Sequence, residues 1–249
     1  MTDTDLKAAL YLDAALPALA ALAPLDATLR AAAAGPKDFA VYLSVRRLPT
    51  GRRLAFAADG TITTSATAQP GDLRLWFPSA GQFLRTTANQ LALTLPISGW
   101  GQLTQVRRFS AAGARMETLL NTRADAYLAL HAWGSLLVGL AAAASWLRLH
   151  PSGWHGLPAR GIAVFVCPLF PAPLWLDLAT LTHGTGEAPG PATVRVEFAD
   201  LATLLAELDN QLDAPAALGL GKLRITGYLP LAENLGLVML KAGNILKPS

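Results

Sequence analysis

Two hydrophobic periods alternate along the chain. Residues 6–34 are rich in Ala and Leu at helical spacing, so they read as helix, interrupted at Pro17 and Pro24 and stopped by Gly35-Pro36. Residues 39–45, 53–58 and 72–76 are short runs of β type, separated by the turn signals Asp59-Gly60 and Pro70-Gly71. Ser79 is placed to cap a helix running to about Leu91, because Phe83, Leu84 and Thr87 share a face. A Gly-rich turn, a fourth strand over 102–109 and a helix over 111–120 complete the first half.

The second half repeats this plan. A helix is expected over 125–149, strands over 161–167, 174–181 and 193–198, and a helix capped by Asp200 that reaches Leu212. Leu201, Leu204, Leu205, Leu208 and Leu212 form its apolar stripe. A strand over 222–227 precedes a helix over 230–241, with Pro230 in its first turn and Gly243 past its end. Strands joined by hairpins, with helices gathered on one face, define an α+β class. Two domains are expected, 1–121 and 122–249, each a small, twisted, mainly antiparallel sheet covered by helices.

Direct matches support a duplication, displaced throughout by about 120 residues. Phe39-Ala40-Val41-Tyr42 matches Ile162-Ala163-Val164-Phe165, and Leu54 matches Leu174. Asp72-Leu73-Arg74-Leu75-Trp76-Phe77 matches Thr193-Val194-Arg195-Val196-Glu197-Phe198. Phe83-Leu84 with Asn89-Gln90-Leu91 matches Leu204-Leu205 with Asn210-Gln211-Leu212, and Gly99-Trp100-Gly101-Gln102-Leu103 matches Gly219-Leu220-Gly221-Lys222-Leu223.

Composition narrows the function classes. Apolar residues are 52% of the chain and charged residues 15%, against about 25% charged in an average domain. The surplus must enter cores, a membrane, an interface or a ligand cavity. The net charge is +3, but Arg46-Arg47, Arg52-Arg53 and Arg107-Arg108 are isolated pairs, and no basic stripe marks a nucleic-acid binder. Cys167 is the single cysteine, so no internal disulfide forms. The acidic first residues lack the positive region of a secretory signal, and Lys247-Pro248-Ser249 is no peroxisomal address, so a cytoplasmic location is expected.

Residues 126–147 carry no charge and could span a bilayer. Their Ala, Gly and Ser content, His131, and the polar, Pro-broken segment in the equivalent slot favour a buried helix, with peripheral membrane contact left open.

Candidate chemistry is sparse. His150 and His155 flank a loop, His131 and His183 stand alone, and no HExxH or CxxC pattern exists, so no metal is expected. The Gly-x-Gly pairs precede strands, the reverse of a dinucleotide loop, and no cofactor is expected. There is neither a Walker motif nor a Gly-x-Ser-x-Gly elbow. Asp177 lies in an apolar strand, where a buried acid/base group or a solvent-facing residue are both open. Cys167, before Pro168, reads as a small buried hydrophobe. No catalytic constellation is expected.

Residues 200–244 combine an acidic cap, a Leu-rich helix, Gly221-Lys222-Leu223-Arg224-Ile225-Thr226-Gly227, then Leu231-Ala232, Leu235-Gly236-Leu237 and Lys241-Ala242-Gly243-Asn244. This resembles the C-terminal half of sterol carrier protein 2 domains, in which a Gly-Lys-Leu-x-Ile-x-Gly strand precedes a lid helix. The first half is similar only through the repeat, and departs at Gln102 and Arg108. The resemblance implies a non-enzymatic module that binds or transfers a lipid-like molecule (fatty acyl, sterol or isoprenoid) in an apolar tunnel between sheet and helices. Residues expected to line it are Trp175, Leu204, Leu205, Leu208, Leu212, Leu223, Ile225, Leu231, Leu235, Val238 and Met239, with Phe83, Trp100 and Phe109 in the first copy. The rival reading is a structural subunit that spends its apolar surplus on a homodimer or partner-enzyme interface.

Overall fold

Thr2 starts the helical layer of the first half with a reciprocal cap. The Asp5 N–H donates to the Thr2 hydroxyl and the Thr2 N–H to the Asp5 carboxylate, both at 3.1 Å. The computed structural model describes residues 1–87, 94–150, 154, 157–158 and 160–246. The chain is α+β and divides into two compact units, Met1–Thr118 and Leu119–Ser249.

In the first unit, α1 (Asp3–Leu10) passes through one π turn (Tyr11–Ala15) into α2 (Leu16–Leu22). Pro17, expected to interrupt the helix, does not. Its ring and missing N–H would disrupt an ordinary ladder, and the wider π turn just before it takes up that misfit. Pro24 does end the run, and Asp26 then caps α3 (Ala27–Ala33) through the Leu29 N–H.

The sheet holds β1 (Phe39–Val45), β2 (Arg52–Phe56), β3 (Ile62–Ser65), β4 (Leu73–Phe77) and β5 (Leu95–Ser98) in the order β3-β2-β1-β4-β5. Only β1 and β4 run parallel; the other ladders are antiparallel. Helix α4 (Ala80–Thr87) lies between β4 and β5 in the chain. The Gln82 N–H donates to Ser79 Oγ at 3.3 Å, as the cap predicts; the expected continuation to Leu91, with Asn89 and Gln90, lies outside the described residues.

The strand expected over 102–109 is not formed. A 310 turn (Trp100–Gln105) leads there into α5 (Val106–Asn121). Gly99 decides this: at φ 77° it turns the chain out of β5, where a Cβ would meet the Asp72 carbonyl oxygen at 2.5 Å. The Gln102 N–H then donates to the Gly99 carbonyl at 2.8 Å and the helical register begins.

In the second unit a 310 turn (Asp125–Tyr127) opens α6 (Leu128–Leu149). Strands β6 (Ile162–Val166), β7 (Leu174–Asp177), β8 (Thr182–Thr185), β9 (Val194–Phe198) and β10 (Leu223–Gly227) follow in the order β10-β9-β6-β7-β8. The remaining helices are α7 (Leu201–Leu208), α8 (Ala214–Gly219) and α9 (Leu229–Leu246). The parallel ladder is β6–β9, so this sheet has the strand order and ladder directions of the first.

Several expectations need correcting. The single strand over 174–181 is a hairpin: Asp177 accepts from the Ala179 N–H and the Thr180 hydroxyl, each at 2.9 Å, and Leu181 turns at φ 53°. Helix α7 stops at Leu208, because Asn210 takes a left-handed φ of 57° and Asp213 caps α8 through the Ala216 N–H at 3.0 Å. Gly243 lies inside α9 rather than past its end.

The repeat also shifts in detail. If β4 and β9 are superposed as the sequence match requires, their ladder partners equate Val41 with Ala163 and Leu43 with Phe165. The match of Val41 to Val164 is therefore one residue out, which would turn every side chain to the wrong face. Likewise Leu54 corresponds to Leu176, not Leu174. The Gly99–Leu103 match fails outright: Gly99 follows β5, whereas Gly221 precedes β10.

Helix α6 is the core of the second unit. It is long and apolar enough to cross a membrane, yet 67% of its most apolar stretch is buried in the fold. It packs on α9, α7, β7 and β8. His131, inside this helix, meets the Leu119 carbonyl through Nδ1 at 3.0 Å.

Candidate ligand-binding surface

Ladder register sorts the second sheet into two faces. Ala163, Phe165, Leu174, Leu176, Val194, Val196, Phe198, Leu223 and Ile225 share one; Val164, Trp175, Asp177, Arg195 and Glu197 share the other. The first set is mainly buried, and its neighbours in the fold are α6, α7 and α9.

Most of the residues expected to line a tunnel lie in the elements on this helix side, and several are core. Leu204, Leu231 and Leu235 are fully buried, and Val238 and Leu223 nearly so. Leu205, Leu208, Leu212, Ile225 and Met239 are half-buried. The Met239 methyl would lie 3.2 Å from a Cβ on Gly139, so it seats in a notch of α6. In the same unit Leu218, Tyr228, Leu229, Leu237 and Leu220 are exposed, Leu220 at 72%. On α9 itself, Leu229 and Leu237 are exposed while Leu231, Leu235, Val238 and Ala242 form the buried stripe.

Trp175 does not belong with these residues. It stands on the opposite face beside Val164, over Gly184, where a Cβ would meet the indole at 2.6 Å; its buried Nε1 has no hydrogen-bond partner among the described residues. In the first unit Phe83 is buried edge-on against Phe77, with ring centres 5.2 Å apart, and Phe109 meets Phe56 edge-on at 6.3 Å. Both are packing aromatics, while Trp100 is 62% exposed on the 310 turn. A cavity of about 410 Å3 does occur there, open to solvent, but its wall includes Asp38, Arg53, Thr61, Thr63, Asp72 and Gln102. Arg53 holds Asp72 at 3.0 Å across it. This cleft is not the expected apolar tunnel.

Sequence reasoning missed Arg108. It is buried, and its guanidinium donates to the carbonyls of Ala33 at 2.8 Å, Lys37 at 2.6 Å and Ala57 at 2.7 Å. It thus ties α5 to the end of α3 and to the exit of β2, and burial draws its pKa down. The signal was its position: Arg108 begins the stripe that Ala112 and Met116 continue.

The titratable candidates serve structure. Asp177 closes a turn, and His150 stacks on Trp146 with ring centres 5.1 Å apart. Cys167 is buried, which pushes its thiol pKa up. His155 lies outside the described residues. Among the described residues no three His, Cys, Asp or Glu side chains are grouped to hold a metal.

No family model matches the chain, and no curated protein matches it. Solved structures do show similarity. Palmitated SCP2L2 from Aedes aegypti is 25% identical, covering 39% of this chain and 86% of its own, at a TM-score of 0.30. Sterol carrier protein 2 like 2 from Aedes aegypti is 23% identical, covering 42% of this chain and 95% of its own, at a TM-score of 0.31. A stereoselective inverting sec-alkylsulfatase from Pseudomonas sp. is 17% identical over 55% of this chain and 28% of its own, at a TM-score of 0.29.

Proposed function

We propose that the second unit holds a lipid-like molecule, without chemistry of its own, on the helix side of its sheet. The observation that carries this reading is the half-closed apolar set on α7, β10 and α9. Leu205, Leu208, Ile225 and Met239 are partly covered by protein, and Leu220, just after α8, and Leu229 and Leu237 of α9 are exposed. A ligand chain that completes this cover gains roughly 0.8 kcal/mol per buried methylene, so an acyl or isoprenoid tail gains several kcal/mol after ordering costs. The resemblance of residues 200–244 to sterol carrier protein 2 domains points the same way.

The two units descend, on this reading, from one duplicated ancestor, since strand order and ladder directions coincide. They have since parted in role. The first unit presents a cleft of mixed polar and apolar wall and core aromatics, and the second carries the half-buried and exposed leucines. Denaturing mass spectrometry of the purified chain should release a bound lipid, and a fluorescent fatty acid should titrate to one site that Leu205→Asp weakens. Absence of both co-purified lipid and uptake would overturn the proposal, and a stable dimer in light scattering would then favour an interface role for the same leucines.

A further inference from the structure

Residues 73–116 contain no Asp or Glu, yet carry Arg74, Arg85, Arg107, Arg108 and Arg115. Arg108 is used inside the fold and Arg115 pairs with Asp26, which leaves Arg74, Arg85 and Arg107 exposed. The same stretch holds a compact run of exposed large apolar side chains: Leu95 at 42%, Ile97 at 59%, Trp100 at 62% and Leu103 at 40%.

We propose that this face of the first unit docks on an anionic lipid bilayer. Leu95 and Ile97 stand two apart on β5, an edge strand, and Trp100 and Leu103 stand three apart on the 310 turn, where side chains at that spacing eclipse. The left-handed turn at Gly99 joins the two pairs. Cations flank them: Arg74 is the ladder partner of Ser98, and Arg107 follows Leu103 by one helical turn. An indole beside short apolar side chains suits the boundary between headgroups and acyl chains, and long arginine stems reach back to the headgroups. The missing carboxylates favour that occupant: residues 73–116 themselves offer an anionic surface no repulsion. Of the two acids in the cleft beside Gln102, Asp72 is paired with Arg53 and Asp38 is exposed. Each cation near such a surface contributes about a fivefold gain in binding at physiological salt.

This inference is independent of ligand holding in the second unit, and the two fail separately. The test is sedimentation of the full chain with vesicles of phosphatidylcholine alone or mixed with phosphatidylglycerol. Binding is expected to the mixed vesicles only and to fall as salt rises. Trp100→Ser with Leu103→Ser should weaken it by about tenfold or more, and Arg107→Glu by about fivefold or more. Fatty-acid uptake should stay unchanged in each variant. Ile97→Ser is the fallback if the double variant lowers the melting temperature. Binding to neither vesicle, binding that these substitutions leave intact, or a self-association that the same substitutions abolish would overturn the proposal.

Discussion

Arg115 grips Asp26 with two hydrogen bonds, Nε to Oδ1 at 3.1 Å and Nη2 to Oδ2 at 2.7 Å, and so fastens α5 to the N-cap of α3. The guanidinium is the main cause that holds the Asp26 carboxyl below its ordinary range, and burial works against it. A depressed folded pKa stabilises the fold above the unfolded value, about 3.9, and that stability is lost as pH falls through the folded pKa. Asp26→Asn should lower the urea midpoint at neutral pH by an amount equivalent to about 2–4 kcal/mol. The gap to the parent should start to shrink as pH falls below ~4, where the unfolded chain protonates first, and close only once pH passes the lower folded pKa. An equal gap at both pH values would refute the charge account, since Asn retains a capping oxygen.

Arg108 should tolerate no replacement. Arg108→Met keeps most of the volume but leaves the carbonyls of Ala33, Lys37 and Ala57 buried without this donor. The expected loss is about 3 kcal/mol or more. Arg108→Lys should recover less than half of it, because one ammonium cannot reach three divergent acceptors. Chemical denaturation of the two variants separates charge from fork geometry, and full rescue by Lys would refute the geometric account.

Two leucines on α9 should behave in opposite ways. Leu235 is fully buried and Leu237 is 56% exposed. Leu235→Ala is expected to cost about 2–5 kcal/mol, whereas Leu237→Ala should stay within about 0.5 kcal/mol and instead reduce fatty-acid uptake. Calorimetry paired with the uptake titration checks both, and unchanged uptake with Leu237→Ala would remove that residue from the ligand surface.

Gly184 and Trp175 should be energetically coupled. A Cβ at position 184 would collide with the indole. Gly184→Ala is therefore expected to destabilise by about 1–3 kcal/mol, and much less in a Trp175→Ala background. A double-mutant cycle with a coupling below about 0.5 kcal/mol would contradict the contact.

Cys167 offers a probe of opening. Buried at 3% exposure, with its thiol pKa raised mainly by burial, it should resist a disulfide reagent in the native protein and react fully in denaturant. Rapid native labelling would show that its strand end opens locally.

What the sequence disclosed, and what it hid, follows from how local each signal was. The Asp200 cap with its leucine stripe, the strand at Leu223–Gly227 and the long apolar helix were legible because each is set by adjacent residues. Strands Ile62–Ser65 and Thr182–Thr185 were not: ITTS and THGT carry little apolar alternation, and only pairing with β2 and β7 makes them strands. The segment Gln102–Phe109 alternates well enough to mimic a strand, and its fate is decided at Gly99 by the approach of Asp72, distant in sequence. The buried side of α7 was recoverable from its leucine periodicity, whereas the α9 residues were named only through the resemblance. Trp175 was misplaced because period two leaves open which side of a sheet faces the helices.

Each sheet is built outward from its first strand. β1, the most apolar, gains β2 through a hairpin but waits for β4, which follows β3 in the chain, to cover its other edge. A fragment that ends after Ser65 therefore leaves the central strand with an open backbone edge available to another chain. The same exposure recurs with β6 until β9 is made. Each central strand therefore shows an open edge in turn until its parallel partner, β4 or β9, is in place.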